Sequence, residues 1–126
     1  MRVIRSLVAD KNPAVCDGLC SIIETQPDMK IVGSARDISE AMDKARKLHP
    51  EIILVDAGIP EEGGIEATRR IKKDIPGVKI LILTTHPGYM RESFEAGADG
   101  YLMKDCCRSE LFTTIREITE KRPAAC

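Results

Sequence analysis

The sequence predicts a doubly wound α/β domain, with parallel strands at the centre and helices on both sides. Three observations predict it. Five short runs are apolar throughout instead of alternating, which marks strands buried on both faces. The longer stretches between them repeat apolar residues at helical spacing. Proline, glycine and cap-forming residues stand at the boundaries between the two kinds of segment. Parallel strands need a crossover at each step, and a helix in each gap supplies it with the usual right-handed sense.

Each element follows in order. Leu7-Val8-Ala9 is the end of a first strand that begins near Val3. Asn12-Pro13 reads as an N-cap followed by proline at the first helical position. Val15, Leu19, Ile22 and Ile23 form the apolar stripe of that helix, and Pro27 lies beyond it. Residues 31–35 are the second strand. Asp37 with Glu40 three positions on resembles a capping box for a helix striped by Ile38, Ala41, Met42, Ala45 and Leu48. Pro50 separates it from the third strand, residues 52–56. Ile65, Ile71 and Ile75 mark a third helix, Pro76 the break, and residues 78–84 the fourth strand. A weaker helix runs from Tyr89 to Ala96 and stops at Gly97. Residues 100–103 are the last strand, and Leu111, Phe112, Ile115 and Ile118 stripe the last helix. Residues 1–121 are expected to form one domain, with 122–126 as a tail or the start of a linker.

Composition bounds the function. A chain of 126 residues has room for one core. Its formal net charge of −1 gives no whole-chain case for nucleic acid or membrane binding. No apolar stretch reaches transmembrane length and the N-terminus has no signal-peptide core, so a cytoplasmic location is expected. The five cysteines are an odd number without zinc-site spacing. Cys16, Cys20, Cys106 and Cys107 could share one region if the first and last helices pack together, yet buried free thiols are usually inert.

The chemistry lies at the strand ends. Asp10, Asp56, Thr84 and Lys104 each close or directly follow an apolar run. In a parallel sheet all four meet at the carboxyl edge, where open α/β sheets bind ligands. A carboxylate can accept a phosphoryl group, and the transfer needs positive charge on the moving oxygens. Mg²⁺, a lysine and a hydroxyl are suitable sources of that stabilisation. No glycine-rich nucleotide fingerprint or P-loop accompanies them, so a metabolic enzyme is not expected.

Four segments in order carry a resemblance: Leu7-Val8-Ala9-Asp10-Lys11-Asn12-Pro13; Ile53-Leu54-Val55-Asp56 with Pro60 and Gly64-Ile65-Glu66-Ala67; Leu83-Thr84-Thr85; and Gly97 through Asp105. On them the chain resembles the receiver domain of bacterial two-component response regulators, a CheY-like superfamily, and within it the NarL/FixJ branch. The resemblance implies the flavodoxin-like fold with strand order 2-1-3-4-5. It implies Asp56 as phosphoacceptor, Lys104 as phosphate-contacting lysine, Thr84 as switch hydroxyl and Tyr101 as switch aromatic. In such domains phosphorylation draws the hydroxyl and then the aromatic inward. The implied metal ligands are Asp10, Asp56 and the carbonyl of Gly58. The implied partners are a sensor histidine kinase and a second copy of the domain. DNA would be contacted only through a C-terminal output domain outside this sequence, and no membrane partner is implied.

The chain also departs from the pattern. Lys11 stands where the family usually carries a second acid, its direct metal ligand. Asp10 and Asp56 are thus balanced by Lys11 and Lys104 before any metal binds, and Mg²⁺ is expected to bind weakly. Two placements of Lys11 are open: its ammonium in the metal's place, or directed to solvent. Gly58 and His86 stand at positions that influence phosphoryl lifetime in the family, and Gly63 where Asp is frequent. Two functions follow. One is a receiver that accepts a phosphoryl group on Asp56 and switches a helical surface, controlling transcription. The other is a pseudo-receiver that binds partners without phosphorylation.

Overall fold

The computed structural model describes residues 2–60 and 63–120. The expected tail at 122–126 lies outside the described residues, as does Cys126. Elements alternate as β1 (Ile4–Ala9), α1 (Pro13–Ile23), β2 (Met29–Ala35), α2 (Ile38–Leu48), β3 (Ile52–Asp56) and α3 (Gly63–Asp74). β4 (Lys79–Thr84), a 3₁₀ turn (Pro87–Tyr89), α4 (Met90–Glu95), β5 (Gly100–Met103) and α5 (Arg108–Glu120) complete the chain. The sheet has five strands in the order β2-β1-β3-β4-β5, and every pairing is parallel. This is the flavodoxin-like order that the resemblance implies.

The uniformly apolar strands feed two cores because successive side chains point to opposite faces. Leu7, Ala9, Ile53, Val55, Ile80 and Ile82 face α2 and α3. Ile4, Val8, Ile52, Leu54, Leu81 and Leu83 face α1 and α5. Central β3 is buried at all five positions. Edge strand β2 is mostly half-buried and carries a bulge opposite the Ser6–Leu7 step. Burial of this kind contributes about 25 cal/mol per Å² of apolar surface removed from water.

Caps fix where the helices begin. Asn12 accepts from the N–H groups of Ala14 (3.0 Å) and Val15 (3.2 Å), with Pro13 following. Asp37 accepts from Glu40 N–H at 2.9 Å, while Glu40 reaches back to Arg36 N–H at 2.8 Å, one residue before the cap. α2 ends on His49 in the left-handed conformation, a non-glycine end that composition did not signal. Three expectations are corrected. Val15 is 40% exposed and Cys16 takes the core position, because the buried stripe of α1 lies one residue further round the helix. α4 begins at Met90, since the 3₁₀ turn uses Pro87–Tyr89. β2 starts at Met29, two residues earlier than its apolar run suggests.

Cys16, Cys20 and Cys106 do share the α1–α5 core, and Cys107 is exposed nearby in sequence; all four are free thiols. Burial pushes the Cys20 thiol up to about 12, with Cys16 beside it adding to the effect, so Cys20 is a poor nucleophile. No helix among the described residues is long and apolar enough to cross a membrane.

Candidate functional site

The carboxyl edge of the sheet gathers the predicted residues because β1, β3, β4 and β5 end in register there. Asp10 follows β1, Asp56 ends β3, Thr84 ends β4 and Lys104 follows β5. Asp10 and Thr84 are buried and Asp56 is 9% exposed. Lys104 joins the two acids: its Nζ lies 3.0 Å from Asp10 Oδ2 and 2.9 Å from Asp56 Oδ1. Burial pulls the Lys104 ammonium down, but hydrogen bonds and charges from Asp56 and Asp10 outweigh it and raise it above its ordinary value. Asp10 is oriented from behind, its Oδ1 accepting from Asn12 N–H at 2.9 Å.

Asp56 Oδ2 has no hydrogen-bond partner among the described residues. It faces the space beside Gly58, where a β-carbon would stand 3.6 Å from it. One carboxylate oxygen is therefore held and the other is presented to the cleft. The cleft is lined by Lys11, Gly58, Thr84, His86, Tyr101 and Lys104, among others. The β3–α3 junction that forms one wall depends on two glycines. Gly63 has φ +77°, the left-handed region where glycine costs least. A β-carbon on Gly64 would lie 2.8 Å from Ala57 Cα, so backbone approach excludes a side chain there. The frequent Asp at Gly63 thus gives way to a residue that the turn accepts without strain.

Thr84 and Tyr101 meet at the backbone of His86. Thr84 Oγ1 accepts from His86 N–H at 3.0 Å and donates to His86 O at 3.2 Å. The Tyr101 hydroxyl donates to the same carbonyl at 2.6 Å, with its ring 9% exposed. Sequence reasoning named both side chains but missed this shared carbonyl, since a backbone acceptor leaves no signal in residue type. The His86 side chain is exposed.

Lys11 lines the cleft, yet it is exposed and makes no ion pair or hydrogen bond among the described residues. Lys11 is thus at the rim of the cleft and does not bridge the carboxylates. Lys104, not Lys11, stands between the carboxylates. This bears on the metal. Mg²⁺ takes one or two carboxylates with waters and phosphate oxygens in octahedral geometry. Here Asp10 and Asp56 are the acids present, and each gives an oxygen to Lys104. Among the described residues no group of three or more Asp, Glu, His or Cys could hold a metal. The residues as placed do not fit a divalent ion well.

The chain belongs to the response regulator receiver domain family, whose model matches residues 6–116. Members of this family generally bind Mg²⁺ at the phosphorylation site, so the shortened donor set is a departure. The chain is 36% identical to the transcriptional regulatory protein LnrK of Bacillus subtilis over 118 residues, 92% of this chain and 54% of that protein. It is 34% identical to the response regulator protein VraR of Staphylococcus aureus over 116 residues, 90% of this chain and 56% of that protein. The chain thus spans about half the length of these regulators. A LuxR-family two-component response regulator from Aurantimonas sp. SI85-9A1 superposes with TM-score 0.89 at 37% identity, over 93% of this chain and 85% of that one. The response regulator domain of Thermotoga maritima CheB superposes with TM-score 0.87 at 34% identity, over 97% of this chain and all (100%) of that one.

Proposed function

We propose that this domain accepts a phosphoryl group on Asp56 and uses it to switch its surface within a transcriptional regulator. The observation that carries the reading is the divided Asp56 carboxylate: Oδ1 is held by Lys104 at 2.9 Å and Oδ2 is open to the cleft. Oδ2 attacks the phosphorus of a kinase phosphohistidine or a small acyl phosphate. The new O–P bond forms as the bond to the leaving group breaks, and the leaving group keeps the electron pair. Lys104 supplies positive charge beside the transferred oxygens.

The shared His86 carbonyl supplies the switch. When the Thr84 hydroxyl turns to a phosphoryl oxygen, it gives up its bond to that carbonyl and leaves it to Tyr101. The phosphoryl group thereby stabilises the inward ring and the loop before α4, the bistable element such a switch needs. A sensor histidine kinase is the proposed donor. The proposed output is DNA binding by a further domain of a longer regulator, as the names of the relatives suggest. A pair of phosphorylated copies is the proposed active form.

One observation favours the second reading, a domain that works without phosphorylation. Tyr101 is held inside by a hydrogen bond from its hydroxyl to His86 O, a contact made by the chain's own groups. The test is to treat the protein with a small acyl phosphate and map the modification. Phosphorylation on the peptide containing Asp56, absent in Asp56→Asn, is the expected result. A wild-type protein that stays unmodified with both the acyl phosphate and a phosphorylated kinase leaves the second reading.

A further inference from the structure

The cleft is larger than a phosphoryl group needs. Its volume is about 600 Å³, within the range of roughly 300–1,000 Å³ that holds small organic molecules. A phosphoryl group would occupy only the corner at Asp56. The remainder extends past Gly58 and Ile65 to Tyr89 and Tyr101, and its walls are mostly apolar. Gly58 widens it by contributing backbone alone beside Asp56. Tyr89 is 54% exposed, a large ring with one side left uncovered. The polar groups divide unevenly. Lys104 is already paired with two carboxylates, and Ser93 spends its hydroxyl on Tyr89 O at 2.7 Å. Glu66 is paired with Arg69. Lys11 is the lining cation that has no counter-ion among the described residues.

We propose that this cleft binds a small amphipathic anion: a planar apolar molecule ending in a carboxylate, sulfonate or phosphate. Its charged end meets Lys11, and its body lies over Gly58 against Ile65 and Tyr89. Both partners gain, because an unpaired ammonium acquires an acceptor and exposed ring surface leaves water. The ligand would cover Asp56 Oδ2. Only this consequence rests on the phosphoacceptor reading: ligand and phosphoryl group then exclude one another, and each lowers occupancy by the other.

Anilinonaphthalene sulfonate is a fluorescent probe of this chemistry. The protein is expected to bind it at one site. Lys11→Met should weaken binding about tenfold by removing a charge-assisted contact. Gly58→Leu should abolish it, since a β-carbon there meets nothing nearer than Asp56 Oδ2 at 3.6 Å and the longer side chain fills the cavity. Phe94→Ser, on the exposed apolar surface of α4, should leave binding unchanged. An aryl carboxylate should displace the dye where inorganic phosphate does not. If inorganic phosphate displaces it equally well, the apolar part of the proposal fails.

Asp56→Asn, which cannot carry the phosphoryl group, should bind the dye at least as tightly. Dye binding without phosphorylation would therefore sink only the phosphoacceptor reading, and phosphorylation without dye binding only this one. Absence of binding, loss on Phe94→Ser, or binding indifferent to Lys11→Met would overturn the proposal. Lys11 is exposed and has no partner among the described residues, so its variant is expected to fold and keeps the test decisive if Gly58→Leu does not.

Discussion

Lys104 is the residue on which the site turns. It bonds two carboxylates that would otherwise face each other. Lys104→Met leaves the two carboxylates facing each other without the ammonium between them. Breaking a buried pair costs about 3–5 kcal/mol. Because the Lys104 side chain is 23% exposed, we expect about 1–3 kcal/mol at pH 7 after solvent screening. Denaturant unfolding of the two proteins measures the loss. Because the Lys104 value is raised, its contribution is complete at neutral pH and is lost only as pH rises through that raised value. Ser6 makes a different test. Its Oγ is buried in β1 without a hydrogen-bond partner among the described residues. Since an unsatisfied hydroxyl costs about 1–3 kcal/mol, Ser6→Ala should raise stability by about 1 kcal/mol, seen as a higher denaturant midpoint.

The elements show how far sequence reaches. Asn12-Pro13 announced the start of α1 because a cap is a local device, with the acceptor and donors a few residues apart. Asn12→Ala should cost about 1 kcal/mol, and it leaves Asp10 Oδ1 its backbone donor, since that bond comes from the N–H of residue 12. Thermal unfolding of the two proteins checks it. The strand ends were legible for the same reason: each site residue closes or follows a run whose burial is written in its composition. Less was legible where backbone makes the contact. The His86 carbonyl, the close approach at Gly64 and the left-handed His49 are set by chain path, which residue type constrains weakly. The placement of Lys11 was open in the sequence because a long side chain can reach a pocket or leave it. Helix phase explains Val15 and Cys16, as one residue of drift moves the buried stripe to its neighbour.

At the scale of the molecule, the last helix is tied to the edge of the sheet by contacts far apart in sequence. Arg116 on α5 grips Asp28 before β2 through Nε at 2.9 Å and Nη2 at 3.0 Å. The hydrogen bonds from Arg116 hold the Asp28 carboxyl below the usual carboxylate range. A depressed carboxylate stabilises the fold above its unfolded value, about 3.9, and the contribution is lost as pH falls through the folded value. The stability gap between wild type and Asp28→Asn should therefore be steady through neutral pH and close in acid, as followed by urea unfolding at several pH values. The same architecture brings Asp10, Asp56, Thr84 and Lys104 to one edge, where the proposed phosphoryl transfer takes place.

Phosphoryl transfer to Asp56 is most directly tested by intact mass after incubation with a small acyl phosphate, in Mg²⁺ and in chelator, with Asp56→Asn alongside. A single phosphoryl addition to wild type, none to the variant, and only a few-fold dependence on Mg²⁺ is the expected result, because Lys11 stands where the family carries its second acid and both remaining carboxylates are bonded to Lys104. An addition that survives in Asp56→Asn would contradict the assignment of the acceptor. Strict dependence on Mg²⁺ would contradict the conclusion that the shortened set of acids does not fit the ion.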